Sequence, residues 1–325
     1  MRKVKWGVIG TASIAKSCTI TGMKMAENCE LVAIAGRDIK KAESYKEEFG
    51  FEIAYGSYDE LIANPDIEAV YIPLPNDLHY EWCMKAIKAG KNVLCEKPLA
   101  PDKETANKLF NAAKEAGVVL MEAFAYQHSP YVAALKEELD SKVIGDIKYL
   151  ESAFFIQELA PDNIRMFRKN YGGAMYDLGC YCVSMFTRLL DKLPVSAQGL
   201  GEFTDEHIDL FSTAYLSYDD GIRASLSCGM IFDSAKDSRM DRLYIHGTNG
   251  YIRSNVEYNQ CGDLTYTVCV DGKEEIKTVK VDHNYKMEVE QLGRCITDGE
   301  APFVSPEFSI MNAEAMDIVL KAIGY

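Results

Sequence analysis

The first residues with chemical potential lie at the end of one stretch, 68–98, EAVYIPLPNDLHYEWCMKAIKAGKNVLCEKP. Residues 68–72 read as a short apolar strand. Pro73 and Pro75 stop it, because proline cannot donate to a sheet ladder. Asn76 or Asp77 then caps a helix. Trp82, Ala86 and Ile87 recur at helical spacing, and Gly90 ends the helix. Residues 93–95 begin the next strand, and Glu96, Lys97 and Pro98 stand where it ends. Ligands of an open parallel sheet bind at the carboxyl ends of its strands. A lysine elsewhere is a solvated surface charge; at that place Lys97 is a candidate for chemistry.

A second chemical stretch opens the chain. Residues 4–9 form a β-branched apolar strand that runs into Gly10-Thr11-Ala12-Ser13-Ile14-Ala15 and a helix. This is a dinucleotide-binding fingerprint in the form G-x-A-x-x-A. The first glycine makes the tight turn, the second position lets backbone approach the pyrophosphate, and the third packs helix on strand. Amides at the helix N-terminus meet the phosphates. The turn alone would be an ordinary strand–helix connection. A second strand at the right distance, 30–35, gives it weight. That strand ends Gly36-Arg37-Asp38. NAD-specific sites place an acid there for the ribose 2′-hydroxyl. Here Gly36 takes the place and Arg37 follows, and an arginine suits a 2′-phosphate by charge and fork geometry. The expected cofactor is NADP, with NAD as the other possibility. Asp38 caps the helix 40–49.

These residues need a scaffold, and the pattern supplies one. Helices at 58–63 and 102–116 and a strand at 118–121 continue the strand–helix alternation. That alternation predicts an α/β fold with a doubly wound parallel sheet over residues 1–122. After Glu122 the texture changes. A transition at 124–130 leads to a helix at 131–139. Strands follow at 147–155, 195–203, 209–217, 222–228, 242–246, 251–253, 264–270 and 275–281. Turns such as Asp219-Asp220-Gly221, Thr248-Asn249-Gly250 and Asp271-Gly272 join several of them, which predicts an antiparallel or mixed sheet. Helices at 173–190, 285–297 and 306–323 complete a second domain, 123–325.

Composition narrows the function classes. A chain of 325 residues exceeds one ordinary core, so two domains are expected. The net charge of −14 argues against nucleic acid and anionic membrane as partners. No apolar run approaches the ~18 residues of a membrane span. The N-terminus enters a strand at once, without a secretory h-region. Ten scattered cysteines, none in a CxxC pair, fit reduced thiols in a cytoplasmic protein. His207, His246 and His283 share no metal spacing with any carboxylate cluster, and no metal is expected.

The stretches WGVIGTASIA, YIPLPNDLHYEWCMKAIKAGKNVLCEKPLA, MEAFAYQHSP and YGGAMYDLGCY together resemble the Gfo/Idh/MocA oxidoreductases, in order over the first ~190 residues. The resemblance implies an N-terminal Rossmann domain and a C-terminal α/β domain with an open, mostly antiparallel sheet, through which members often form homodimers or larger oligomers. It implies a cofactor-binding set of Gly10, Thr11, Ala12, Ser13, Ile14, Arg37, Asp38, Leu74, Asn76, His79, Glu96 and Lys97. Lys97 matches the lysine of the family's EKP segment, near the nicotinamide and the substrate hydroxyl. Asp177 matches the acid of its D-x-G-x-[HY] segment. Tyr181 stands where most members have histidine, which is similar to the dimeric dihydrodiol dehydrogenase and NADP-dependent D-xylose dehydrogenase branch. Gln127 stands where many members carry arginine.

Oxidation of an alcohol carbon needs a base for the hydroxyl proton and a positive group for the developing alkoxide. The catalytic set expected is Lys97, Asp177 and Tyr181. Tyr181 serves as base if its pKa falls well below the free value of ~10, and a nearby lysine ammonium favours the phenolate. Asp177, four residues earlier, shares its helix face and either bonds the substrate or holds Lys97. His79 positions the cofactor loop. Glu122 either lies near the nicotinamide or pairs with Lys97. The expected activity is transfer of a hydride between a nicotinamide cofactor and a sugar, polyol or cyclic diol. The alternatives are a glycosidase that oxidises a sugar hydroxyl transiently and a dinucleotide-binding regulator.

Overall fold

The computed structural model describes residues 2–232, 239–255 and 258–325. They form two compact units, Met1–Ser129 with Asp282–Ser309, and Pro130–Val281 with Ile310–Tyr325.

The first unit alternates β1 (Val4–Ile9), α1 (Ile20–Met25), β2 (Cys29–Ala35), α2 (Ile39–Phe49), β3 (Ile53–Tyr55), α3 (Tyr58–Ala63), β4 (Ala69–Ile72), α4 (Asn76–Lys88), β5 (Asn92–Glu96), α5 (Lys103–Ala116) and β6 (Leu120–Ala123). The six strands lie in the order β3-β2-β1-β4-β5-β6. Every pairing is parallel. This is the doubly wound sheet expected. A parallel sheet is covered on both faces, so its strands are continuous apolar runs. Val4, Trp6, Val8 and Ile9 of β1 and all four residues of β4 are fully buried.

Three local features differ from the sequence reading. β3 is an additional strand, three residues long, too short to carry a pattern of its own; pairing of Ala33 with Ile53 and Ala35 with Tyr55 makes it. Neither Asn76 nor Asp77 caps α4. Pro75 occupies the cap position without a side-chain hydrogen bond, and Asn76 is already helical. The chain also returns to this unit at Asp282–Ser309, a segment the sequence reading placed in the second domain. Its helix, numbered α8 below, buries Val289 and Leu292, and the Asn28 amide donates to the Glu290 carbonyl at 2.8 Å.

The second unit contains α6 (Pro130–Asp140), β7 (Ile147–Gln157), α7 (Cys180–Leu190), β8 (Ser196–Phe203), β9 (Asp209–Ser217), β10 (Arg223–Phe232), β11 (Met240–Gly247), β12 (Gly250–Ser254), β13 (Gly262–Val270) and β14 (Lys273–Val281). α8 (Asn284–Asp298) follows, and α9 (Pro306–Ile323) ends the chain. The eight strands are ordered β14-β13-β12-β11-β7-β10-β9-β8. The β7–β10 pair is parallel and the other pairings are antiparallel. Asp271 and Gly272 join β13 to β14 with φ of 50° and 76°, the two positive values a tight hairpin turn requires. One face of the sheet is dry: Leu150, Ala224, Leu226, Leu243, Ile245 and Ile252 are buried. The other face keeps Tyr149, Glu151, Arg242 and Tyr244 partly exposed. No helix among the described residues is long and apolar enough to cross a membrane.

Candidate active site

In the first unit the candidate residues lie at the carboxyl ends of β1, β2, β4 and β5. Gly10 leaves β1 with φ of 120°. Its amide donates to the Ala35 carbonyl at 2.9 Å. A Cβ at this position would lie 3.0 Å from the Leu74 side chain and would be strained at that φ, so the turn needs glycine. Thr11, Ala12 and Ile14 are half-buried and Ser13 is exposed. The Tyr45 hydroxyl donates to the Thr11 carbonyl at 3.2 Å and ties the turn to α2. The helix then opens on a π-helical turn, Ala15–Thr19. Such turns are frequent at functional sites.

Arg37 and Asp38 follow β2. Asp38 caps α2, accepting from the Lys40 amide at 3.0 Å, as the sequence predicts. Leu74 and Asn76 border the turn after β4. His79 is fully buried on α4. Its ring nitrogens lie 2.9 Å from the Pro98 carbonyl and 2.8 Å from the Leu74 carbonyl, so it ties the β4 loop to the segment after β5. Burial pushes the pKa of this imidazole down against the pull of the two carbonyls.

Glu96 is the last residue of β5 and Lys97 the next. Thr19 donates to the Tyr71 hydroxyl at 2.8 Å, and Tyr71 donates to Glu96 at 2.5 Å. This chain ties the end of β5 to β4 and to the π-helical turn before α1, so one oxygen of Glu96 serves the scaffold. Lys97 is half-buried, and its positive charge acts on both Glu122 and His79.

Glu122 stands opposite Cys95 in the β5–β6 register and accepts from the Leu99 amide at 2.9 Å. Burial pushes its carboxyl up to about 7, even though the Leu99 amide and the Lys97 charge pull it down. The folded pKa lies above the unfolded one. The unfolded chain therefore loses this proton first as pH rises, and stability falls from the unfolded pKa to about 7. Complete ionisation costs roughly 3 kcal/mol. Glu122→Gln keeps an acceptor for Leu99 and removes this titration. Urea unfolding at pH 5 and pH 8 is expected to show the wild type losing up to roughly 3 kcal/mol more than the variant between the two.

In the second unit Asp177 lies on a π-helical turn, Met175–Gly179, that leads into α7, and Tyr181 on α7 itself. Asp209 fixes the start of that turn: fully buried, it accepts from the Met175 amide at 2.8 Å and from Ser212 at 2.7 Å, and the Tyr325 hydroxyl also donates to it. Gly173, with φ of 110°, lets Asp209 come so close; a Cβ there would sit 2.1 Å from its carboxylate. Asp177 forms an ion pair with Arg165 at 2.8 Å. Arg165 comes from a loop whose end is pinned by the Gly173 amide on the Arg165 carbonyl, 2.9 Å.

The Tyr181 ring packs edge-on against Phe154, with centroids 5.4 Å apart, and against Tyr258 at 5.0 Å. Its hydroxyl accepts from the Asn259 amide at 3.4 Å. Tyr258 stacks on Phe154 and donates its backbone amide to Asp241 at 2.8 Å. Arg239 pairs with the same Asp241 and lies over Phe154, 4.8 Å from its centroid. Gln127, in the first unit, is fully buried and bonds the Tyr126 hydroxyl.

Arg165, Phe154, Tyr258 and Asn259 were not candidates from the sequence. Each comes from a different element from Asp177 and Tyr181, 12 or more positions away in the chain, and none belongs to a motif.

A doubly wound parallel sheet with a glycine turn after its first strand is the architecture of a dinucleotide-binding domain. Comparisons with known proteins agree. Residues 4–124 match the model of the GFO_IDH_MocA oxidoreductase family with its NAD-binding Rossmann fold, and residues 132–253 match the GFO/IDH/MocA C-terminal domain. The D-xylose 1-dehydrogenase (NADP(+)) 2 of Haloferax volcanii is 31% identical over 98% of this chain and 96% of its own. The trans-1,2-dihydrobenzene-1,2-diol dehydrogenase of Xenopus tropicalis is 29% identical, covering 98% of both. A 3-ketoreductase from Actinomadura kijaniata, solved in complex with NADP and TDP-benzene, superposes with a TM-score of 0.92 at 29% identity, over 99% of this chain and 98% of that one. The chain belongs to the Gfo/Idh/MocA family of oxidoreductases.

Proposed function

We propose that the protein is an NADP-dependent oxidoreductase that interconverts a hydroxyl and a carbonyl on a sugar, polyol or cyclic diol. The observation that carries this reading is the cofactor end of the parallel sheet: a turn at Gly10 whose φ of 120° strains any side chain, and Arg37 directly after the Gly36 that stands where an NAD site would keep an acid. That cradle fits a dinucleotide. Gly10, Thr11, Ala12, Ser13 and Ile14 would hold the pyrophosphate, Arg37 and Asp38 the adenosine ribose, and Leu74, Asn76, His79, Glu96 and Lys97 the nicotinamide end. When bound, NADP would supply the hydride for reduction or take it up in oxidation. The relatives named above, a D-xylose dehydrogenase, a dihydrobenzene-diol dehydrogenase and a 3-ketoreductase, support the substrate class.

The chain's own residues manage the proton and the charge. Tyr181 takes the hydroxyl proton during oxidation and returns it during reduction, and Asn259 steadies its hydroxyl. Lys97 stabilises the oxygen as negative charge develops on it. Asp177, held by Arg165, accepts a hydrogen bond from a second substrate hydroxyl. The partly exposed face of the second sheet supports assembly as a homodimer: Leu200 is 61% exposed and Tyr215 44%, beside the stacked rings of Phe155, Phe211 and Phe232. Ten free thiols support a reducing, cytoplasmic setting.

The test is a titration of the purified protein with NADPH and NADH, then turnover on a panel of sugars, polyols and cyclic diols by nicotinamide absorbance. Preferential NADPH binding with turnover on a panel member is expected. Bound cofactor with no net redox change on any of them would point instead to transient oxidation or to a sensor.

A further inference from the structure

The loop between β12 and β13 brings one amide to Tyr181 and leaves half of it unused. Asn259 donates from Nδ2 to the Tyr181 hydroxyl at 3.4 Å. Its other terminus, Oδ1, is buried and has no hydrogen-bond partner among the described residues. A buried acceptor without a donor carries the full desolvation penalty of that group, and a native structure that keeps one calls for a reason. The backbone does not supply it. Asn259 has φ of 66°, a value that glycine adopts more readily than asparagine. Glycine there would satisfy the turn and leave no orphan oxygen.

The loop holds this amide firmly. Tyr258, the preceding residue, is buried. Its backbone amide donates to Asp241 at 2.8 Å, its carbonyl accepts from Arg239 at 3.0 Å, and its hydroxyl lies 3.0 Å from that of Ser152. Arg239 and Asp241 are joined to each other by two hydrogen bonds, at 2.9 and 2.7 Å. One ion pair thus fixes both backbone groups of Tyr258, and Phe154 and Tyr181 fix its ring. An acceptor carried on such a support is preorganised, so a ligand that uses it does not have to order it.

We propose that Asn259 selects vicinal diols and the α-hydroxy carbonyls they become: while Tyr181 handles the proton of the reacting hydroxyl, Asn259 Oδ1 accepts a hydrogen bond from the hydroxyl on the next carbon. This rests on Tyr181 as the base of the proposed reaction. The amide carries Oδ1 and Nδ2 on one carbon, so the oxygen sits one covalent angle from the atom that meets the Tyr181 hydroxyl. Neighbouring hydroxyls of a sugar or a cyclic diol are spaced just as closely. The substrate hydroxyl supplies the donor that Oδ1 lacks. A substrate with a methylene at that carbon leaves the oxygen unpaired, and a site built to hydrogen-bond a hydroxyl rejects the analogue without it. Asp177, paired with Arg165, then serves a hydroxyl beyond these two.

The experiment compares substrates that differ by one hydroxyl: trans-cyclohexane-1,2-diol against cyclohexanol, and D-xylose and D-glucose against their 2-deoxy forms. kcat/KM is measured for each pair with the wild type, Asn259→Gly and Asp177→Asn. Glycine accommodates the φ of 66°, so the loop is kept while the amide is removed. The lost contact to Tyr181 lowers both members of a pair alike, and the ratio within the pair isolates Oδ1. The wild type is expected to favour the diol, and that preference is expected to fall about tenfold in Asn259→Gly, the worth of one hydrogen bond to a neutral acceptor. Asp177→Asn is expected to keep the ratio within about twofold. A ratio that Asn259→Gly leaves unchanged, or that falls only in Asp177→Asn, overturns the role of Asn259. No wild-type turnover on any pair overturns the oxidoreductase reading and this proposal with it, and the two failures are told apart by whether the wild type reacts.

Discussion

Replacing Tyr181 with phenylalanine is expected to lower kcat by about 10²- to 10⁴-fold, the range of a lost general acid–base group. The substitution deletes one oxygen. The ring keeps its packing against Phe154 and Tyr258, so the second unit is expected to retain its thermal midpoint within about 2 °C, as for a substitution that leaves packing intact. The Asn259 amide loses an acceptor 3.4 Å away, a contact too long to weigh much in stability. The Tyr181 hydroxyl lies outside the dinucleotide unit. NADPH affinity should therefore change little, and the loss should fall on kcat. Steady-state kinetics beside NADPH titration read the two separately. Wild-type turnover in Tyr181→Phe would remove the tyrosine from the mechanism, and the proton would need another acceptor.

The second large effect is expected at Lys97. Lys97→Met preserves the length of the stem and removes the ammonium. Loss of a fixed positive group at the site of developing charge costs about 10²- to 10³-fold in kcat. A second readout separates this from a general disturbance. Lys97 now holds the Glu122 carboxyl down and also lowers the His79 pKa. Without the ammonium both groups move up, and the pH window over which Glu122 lowers stability extends to higher pH at its upper end, while its lower end, set by the unfolded chain, stays in place. Urea midpoints across pH 5 to 9 should show that displacement together with the kinetic loss. A variant that keeps its turnover would return Lys97 to the scaffold, as a residue that only tunes its neighbours.

Much of this arrangement was legible because it is written locally. The turn after β1 needs a residue tolerant of φ near 120°, and only a glycine serves well there. All eight strands of the second sheet were anticipated, because alternation and positive-φ hairpin turns such as Asp271-Gly272 are short-range signals. Asp38 caps its helix as expected because capping joins residues two apart. β3 escaped because three residues hold too little pattern. α8 was given to the wrong unit because its amphipathic period reveals a buried face but not what covers it.

The sequence by itself determined the parallel sheet, the glycine turn at the carboxyl end of β1, the lysine at the end of β5 and the acid and tyrosine near the start of α7. Each follows from chain-neighbour sterics or from a motif whose residues sit within a few positions of one another. Only the tertiary structure decided which side chains meet. Arg165 comes to Asp177, Asn259 to Tyr181, and Thr19 through Tyr71 to Glu96. These contacts join residues 12 to 78 positions apart, on different elements. Hydrogen bonds and ion pairs act over about 3 Å, so such partners are fixed by how sheets and helices pack, a choice no local pattern encodes.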